Sequence, residues 1–206
     1  MRSELRFALV FTATCFASAY LHEIGHALLG LVQGIAVIPT PAKEYELCDV
    51  VDWRQMKGIA LGGVLTSAIL TAAAIFCYLW RRTGQANAFL GGMLVLPGLY
   101  TLRFILAGRG HDGLEFQEAQ AALGFSPSGH SFDFVFLVLF GLGCAVMYVR
   151  NSHAMRMKSV LRIFSYSLLG VILLITVQVA NNALFDRHFP RTRTVNVPVG
   201  LESETR

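Results

Sequence analysis

Charged residues are scarce in this sequence, and that scarcity argues against an ordinary soluble domain. Only 15% of the 206 residues are Asp, Glu, Lys or Arg, whereas 54% are hydrophobic. The hydrophobic residues form blocks that are long for a soluble core, and they lack the strict alternation of a transmembrane β-barrel. We therefore predict an integral, multi-pass membrane protein whose spanning segments are helices.

Cysteine pairs of the kinds that build disulfide frameworks or zinc sites are also missing. The four cysteines, Cys15, Cys48, Cys77 and Cys144, are widely spaced, and the sequence contains no CxxC pair. Three of them lie inside hydrophobic blocks. We interpret the cysteines as small, buried apolar side chains.

The sequence lacks the basic stripe that is typical of nucleic-acid binding, although its net charge is +4. Lysine and arginine occur in short groups between the hydrophobic blocks, such as Arg81-Arg82 and the segment 150–162. Groups of this kind anchor helix ends at lipid headgroups. The predicted partner is therefore the lipid bilayer, and no nucleic-acid partner is expected.

The hydrophobic blocks predict about five transmembrane helices. The first block is longer than one span, so its end should bend or leave the membrane near Gly30 or Gly34. The third block contains Pro97, which predicts a kink near its middle. The second block has a face of small residues suited to close helix packing. The blocks cover residues 7–38, 58–80, 86–107, 132–149 and 163–184. The small-residue face consists of Gly62, Gly63, Thr66, Ser67 and Thr71.

Smaller elements are predicted in the connecting segments. Residues 114–123, after the third span, have the pattern of a short amphipathic helix, and residues 45–51 in the first loop could form a short strand. The fold class predicted from the sequence is thus an all-α membrane protein. It has one membrane domain at residues 1–185 and a polar, flexible C-terminal tail at residues 186–206.

One predicted span contains a dense group of ionisable residues, His22-Glu23-Ile24-Gly25-His26. On a helix, His22 and His26 lie one turn apart on the same face, so two imidazole nitrogens can reach one tetrahedral Zn²⁺. In such an H-E-x-x-H helix the glutamate, here Glu23, takes a proton from the zinc-activated water. Ionisable side chains inside a bilayer cost about 2.5–3.5 kcal/mol each unless paired or liganded, which favours a metal site.

A catalytic zinc site needs a third protein ligand, and the segment after the third span offers candidates. His111 and Asp112 are adjacent and flanked by glycines. With five spans, this segment lies on the same membrane side as the motif-bearing end of the first helix. The residues alone leave His111, Asp112, Glu115 and Glu118 open as the third ligand, and Asp112 could instead cap the following helix.

The two motifs together resemble those of the site-2 protease family of intramembrane zinc metalloproteases, peptidase family M50. The resemblance lies in the H-E-x-x-H helix and in His111-Asp112-Gly113, where the family has leucine in place of His111. It implies a Zn²⁺-dependent endopeptidase that hydrolyses peptide bonds of membrane-anchored proteins or peptides. It also implies His22, His26 and Asp112 as zinc ligands and Glu23 as the catalytic base.

The substrate of such an enzyme must unwind locally, because the peptide bonds of a membrane helix are hidden by the helix's own hydrogen bonds. An extended substrate segment could add to the predicted strand at residues 45–51. Gln178, Asn181 and Asn182, near the end of the fifth span, are alternative polar contacts.

Other functions use similar residues. A non-proteolytic membrane metal-binding or metal-transport protein is the main alternative. It predicts acidic or histidine residues across several spans, and the last two spans have almost none inside. A diiron membrane oxygenase needs more histidines than the six present. A rhomboid-type serine protease is disfavoured because His130-Ser131 lacks a G-x-S-x-G context.

Overall fold

The chain is mostly helical in the computed structural model, which describes residues 2–48, 50–81, 83–108, 117, 120–121, 130–150, 153–189 and 193–195. The helices are α1 (Arg2–Val32), α2 (Trp53–Trp80), α3 (Gly84–Met93), α4 (Val95–Ala107), α5 (Ser131–Arg150) and α6 (His153–Phe185). The strands are β1 (Val37–Pro39), β2 (Glu44–Glu46), β3 (Val50–Asp52) and β4 (Arg193–Val195).

Four of the described helices are long and apolar enough to cross a membrane. They are α1, α2, α5 and the part of α6 from Leu161 to Phe185. Helices α3 and α4 satisfy the same criterion as a pair, but they meet at an angle of 42°. The prediction of a mostly helical fold with several such helices is confirmed, and the number five depends on counting this bent pair as one span.

The outward faces of these helices are apolar. Ile69 and Phe76 on α2, and Leu168, Ile172 and Val179 on α6, each expose more than half of their surface. A soluble monomer rarely exposes a continuous apolar surface of this extent. This is the surface that a lipid bilayer would cover.

Helix α1 occupies a central position and makes its most extensive helix contact with α2. The two backbones approach closely where Gly25 faces Gly62. A Cβ atom built on Gly62 would lie 2.2 Å from the carbonyl oxygen of Gly25, and one on Gly25 would lie 2.3 Å from the hydroxyl of Thr66. The predicted small-residue face of α2 therefore does pack closely, and it packs against the segment of α1 that carries the histidines.

The other end of α1 is held to α6 by an aromatic cluster. The ring of Tyr166 lies 5.3 Å from that of Phe7 and 5.7 Å from that of Phe11, measured between centroids. Arg162 forms a 2.9 Å ion pair with Glu4 and lies over the ring of Phe7. These contacts fix the axis of α1 relative to α6 far from the histidines.

The sequence explains where α1 ends. Gly34 has a positive φ of 79°, which glycine adopts without strain. The N–H of Ile35 donates back to the carbonyl of Gly30 at 2.9 Å and closes the last turn. The helix therefore ends at Val32, between the two predicted glycines.

Helix α2 begins at Trp53 and not at residue 58. A capping box explains the longer helix: the side chain of Asp52 accepts a hydrogen bond from the N–H of Arg54, and the side chain of Gln55 accepts one from the N–H of Asp52. The first turn contains the charged residues Arg54 and Lys57, so a search for hydrophobic blocks places the helix start too late.

The predicted kink is also present. Helices α3 and α4 separate at Leu94, three residues before Pro97. Proline has no N–H to donate to the carbonyl four residues earlier, here that of Met93, and its ring crowds that carbonyl. The bend therefore falls at the start of the turn that Pro97 disrupts.

The strands form two small sheets among the described residues. Strand β1 pairs with β2 in an antiparallel hairpin, with Ile38 opposite Tyr45. Strand β3 pairs with β4 in parallel. Three short strands, β1, β2 and β3, therefore lie between α1 and α2, and the single strand predicted at residues 45–51 is replaced by the end of β2 and the start of β3. Residues 193–195 of the predicted tail form β4, and the amphipathic helix predicted at 114–123 lies almost entirely outside the described residues.

The four cysteines are free thiols, and only Cys15 is buried. Cys48 is partly exposed, whereas Cys77 and Cys144 are exposed. The prediction of burial was wrong for these last two. In a chain whose outer helix faces are apolar, a hydrophobic neighbourhood in the sequence does not distinguish a buried position from an outward one.

Candidate metal centre

The imidazoles of His22 and His26 face each other inside the helix bundle. Both side chains are only 2% exposed. Their Nε2 atoms are 3.1 Å apart, and the two rings meet nearly at a right angle. The four-residue spacing on α1 explains why they share a face, and the packing of α2 explains why they are buried.

The second nitrogen of each ring is held by α2. Nδ1 of His26 lies 2.7 Å from the carbonyl oxygen of Ile59, and Nδ1 of His22 lies 2.8 Å from the hydroxyl oxygen of Ser67. A carbonyl only accepts, so Nδ1 of His26 is the donor and its Nε2 carries the lone pair. The Ser67 hydroxyl can accept from His22 in the same way, which leaves a lone pair on Nε2 of each ring.

A glycine on α2 makes room for the two rings. A Cβ atom built on Gly63 would lie 2.2 Å from Nε2 of His26 and 2.7 Å from Cε1 of His22. Any side chain at this position would displace the imidazoles. The absence of a side chain at Gly63 is therefore a requirement of the histidine arrangement.

This arrangement fits a zinc ion. Two imidazole nitrogens bound to tetrahedral zinc, each at about 2.0–2.1 Å, lie about 3.3 Å from one another. The observed separation of 3.1 Å between Nε2 of His22 and Nε2 of His26 is close to that value. Metal-bound histidines also commonly donate their other N–H to a backbone carbonyl or similar acceptor, as His26 does to Ile59.

Two carboxylates lie beside His26. One ligand atom each from Glu23, His26 and Glu44 lie within 4.8 Å of one another. Glu23 follows His22 on α1, whereas Glu44 comes from β2. The predicted catalytic base and the predicted ligand His26 therefore lie in this group, whereas the predicted ligand His22 is not a member of it among the described residues. The hairpin contributes a second carboxylate that the sequence did not indicate.

The phenol of Tyr100 lies close to Nε2 of His22, the nitrogen that would bind the metal. The hydroxyl of Tyr100, on α4, lies 3.3 Å from Nε2 of His22. Its ring stacks on the buried Phe136 of α5, with centroids 4.7 Å apart, and lies 5.7 Å from the ring of His22. Packing from both sides fixes the hydroxyl beside the histidine pair.

These side chains line one cavity of about 760 Å³. Its walls come from α1, the β1–β2 hairpin, α4 and α6. The polar groups that converge in it include His22, Glu23, His26, Glu44, Tyr100 and Arg103. Of the three polar residues noted near the end of the fifth span, Gln178 and Asn182 line it from α6, whereas Asn181 donates to the hydroxyl of Tyr45.

The hairpin is tied to the end of α6 by Tyr45. The hydroxyl of Tyr45 donates to Asp186 at 2.8 Å and accepts from the amide of Asn181 at 3.3 Å. Lys43 forms a 3.4 Å ion pair with the same oxygen of Asp186. Burial, followed by the hydrogen bond to Asp186 and its negative charge, raises the pKa of Tyr45 to about 12. The phenol therefore stays protonated and keeps donating at neutral pH.

The predicted third ligands, His111 and Asp112, lie outside the described residues, as do Glu115 and Glu118. Helix α4 is described to Ala107, and Gly108 ends it with a φ of 72°. The role of Asp112 as the third zinc ligand therefore stays a prediction.

Four partners of the site were missed in the sequence: the carbonyl of Ile59, the hydroxyl of Ser67 as a partner of His22, Glu44 and Tyr100. Ser67 belonged to the predicted small-residue face, so its contact with α1 was foreseeable although its partner was not. The other contacts depend on long-range packing, and no local pattern marks them.

Comparison of the chain with protein-family models, with curated proteins and with solved structures finds no match.

Proposed function

We propose that this chain is a zinc-dependent intramembrane endopeptidase of the site-2 protease type. The observation that carries the proposal is the pair of buried imidazoles, His22 and His26, whose Nε2 atoms are 3.1 Å apart while each Nδ1 contacts a group on α2. Glu23 follows the first of them directly in an H-E-x-x-H helix. The zinc ligands are His22, His26 and Asp112, and Glu23 is the general base.

The proposed enzyme is an integral, multi-pass membrane protein that crosses the bilayer five times. Helices α1, α2, α5 and α6 form four spans, and the bent pair of α3 and α4 forms one more. The exposed apolar faces of α2 and α6 support this arrangement. The cavity at the histidines would then admit water to a site otherwise enclosed by helices.

Zinc in this site would supply a Lewis acid that activates a water molecule and polarises the substrate carbonyl. Glu23 takes the proton from that water and passes it to the amine that leaves when the peptide bond breaks. Ile59 and Ser67 hold the imidazoles in the required orientation. The hydroxyl of Tyr100, which lies 3.3 Å from Nε2 of His22, donates a hydrogen bond to the oxygen on which negative charge develops.

The substrate is a membrane-anchored protein or peptide that enters the cavity as an extended segment. Strand β2 forms one wall of the cavity, and among the described strands it pairs only with β1. Its other edge offers backbone groups to which an unwound substrate can add. Gln178 and Asn182, which line the same cavity from α6, can bind the substrate's exposed peptide groups.

The direct test is cleavage of a membrane-anchored peptide by the purified protein reconstituted in lipid vesicles. A chelator should stop cleavage, and added Zn²⁺ should restore it. The reason is that Glu23 can take a proton only from a water molecule that the metal ion has activated. Cleavage that persists after complete removal of metal would contradict the proposal. Zinc binding without any cleavage would favour a non-proteolytic metal-binding role.

Tyr100→Phe should lower the turnover number by about 10²-fold, as expected for loss of one hydrogen-bond donor to a developing charge. Zinc content should stay at the wild-type level, because the phenol is not a proposed ligand and the ring still packs on Phe136. Initial rates at saturating substrate, with zinc measured on the same preparation, check this. An unchanged turnover number would remove Tyr100 from the mechanism.

A further inference from the structure

The β1–β2 hairpin lines the cavity and carries a carboxylate to His26 and Glu23. Glu44 lies in β2 opposite Pro39 of β1. One of its carboxylate oxygens lies within 4.8 Å of both a ligand nitrogen of His26 and a carboxylate oxygen of Glu23. The family resemblance, which rests on the H-E-x-x-H helix and on residues 111–113, implies no role for Glu44.

The chemistry of this group favours a cation between its members. Glu23 and Glu44 repel each other at this distance unless positive charge or a proton lies near them. Arg103 lines the same cavity and supplies one positive charge from α4. His26 is buried, and its Nδ1 is already committed to the carbonyl of Ile59, so its Nε2 offers a lone pair in the direction of a metal ion. A carboxylate and an imidazole are both common zinc ligands.

The hairpin is anchored at its base, where Val37 packs against the buried cluster of Ile35, Val51 and Ile59. It is joined to α1 through the turn at Gly34, and its outer end is held by the contacts of Tyr45 and Lys43 with Asp186. Its residues 41–46 all line the cavity. An extended substrate that pairs with β2 has to pass the side chain of Glu44 to reach Glu23.

We propose that Glu44 binds the same metal ion as His22 and His26 in the resting protein and so latches the β1–β2 hairpin over the site. The inference rests on the proposed zinc site and adds a regulated entrance to it. Ligand atoms of one tetrahedral zinc ion lie about 3.3 Å apart, and the ligand atoms of Glu44, Glu23 and His26 lie within 4.8 Å of one another. An incoming substrate displaces Glu44, which opens the hairpin and frees a position on the metal.

The test compares Glu44→Gln with Glu46→Gln, a matched change on the same strand and the same cavity wall. Zinc affinity is measured by competition with a chelator, and the opening of the hairpin by amide hydrogen exchange over residues 41–47 with and without Zn²⁺. Glu44→Gln should weaken zinc binding by about tenfold or more and abolish the zinc-dependent protection of the hairpin. Glu46→Gln should leave both quantities within about twofold of wild type.

If Glu44→Gln keeps the wild-type zinc affinity and the wild-type zinc-dependent protection of the hairpin from hydrogen exchange, the latch is overturned. Loss of cleavage by Glu44→Gln at saturating Zn²⁺ would also overturn it, because that result would make Glu44 a permanent part of the catalytic site. Failure of the latch and failure of the proposed function are distinguishable. If wild-type protein binds no zinc, both fail; if it binds zinc and cleaves substrate while Glu44→Gln behaves as wild type, only the latch fails.

Discussion

Glu23→Gln should abolish cleavage of a membrane-anchored substrate and leave zinc bound. Glutamine has nearly the same size as glutamate, but it cannot take the proton of the attacking water. Loss of a general base typically lowers the rate by about 10²–10⁴-fold. The zinc content should not change, because His22 and His26 keep their contacts with Ser67 and Ile59. Initial cleavage rates and metal analysis on the same reconstituted preparations measure both effects.

Glu46→Gln is the matched control for this experiment. Glu46 lines the same cavity, yet it does not belong to the group formed by Glu23, His26 and Glu44. It should retain most of the wild-type rate. Cleavage by Glu23→Gln at the wild-type rate would refute the assigned base, and equal losses in both variants would point to a general effect of removing charge from the cavity.

Gly63→Ala should remove most of the bound zinc. The added methyl group would lie 2.2 Å from Nε2 of His26, so the two imidazoles must separate or α1 must move away from α2. Either change takes the ligand nitrogens out of reach of one metal ion. Overpacking of this kind also costs about 1–3 kcal/mol in the free energy of unfolding. Zinc content and thermal unfolding in detergent measure the two effects.

Gly141→Ala, on α5, controls for the general effect of replacing a helix glycine. A Cβ atom at Gly141 would meet no atom within 4 Å. This change should leave zinc content unchanged and should stabilise the helix slightly, because alanine loses less conformational freedom than glycine. Full zinc content in Gly63→Ala would mean that the imidazoles do not meet the metal in the observed arrangement.

The helical frame could be predicted from the sequence because hydrophobic blocks and helix-breaking residues are local signals. Pro97 predicted the bend between α3 and α4, and Gly34 marked the end of α1. The start of α2 was misplaced because its capping box at Asp52 precedes a polar first turn. The short strands were only partly predicted, since their pairing depends on residues far apart in the chain.

The site was predictable only in its local part. His22, Glu23 and His26 lie within one stretch of α1, so helix geometry alone places the two histidines on one face. Glu44 and Tyr100 reach them from β2 and α4 through contacts that no spacing rule encodes. The sequence motif thus located the two facing histidines and Glu23, and the long-range packing supplied the groups that surround them.

The zinc content of the purified wild-type protein, compared with His22→Ala and His26→Ala, tests the central claim most directly. We expect about one zinc ion per wild-type chain and almost none in either variant, because a structural or catalytic zinc site with one fewer imidazole loses a primary ligand. Asp112→Ala, measured alongside, should also lose zinc if it is the third ligand. Equal metal content in wild type and in both histidine variants would contradict the account.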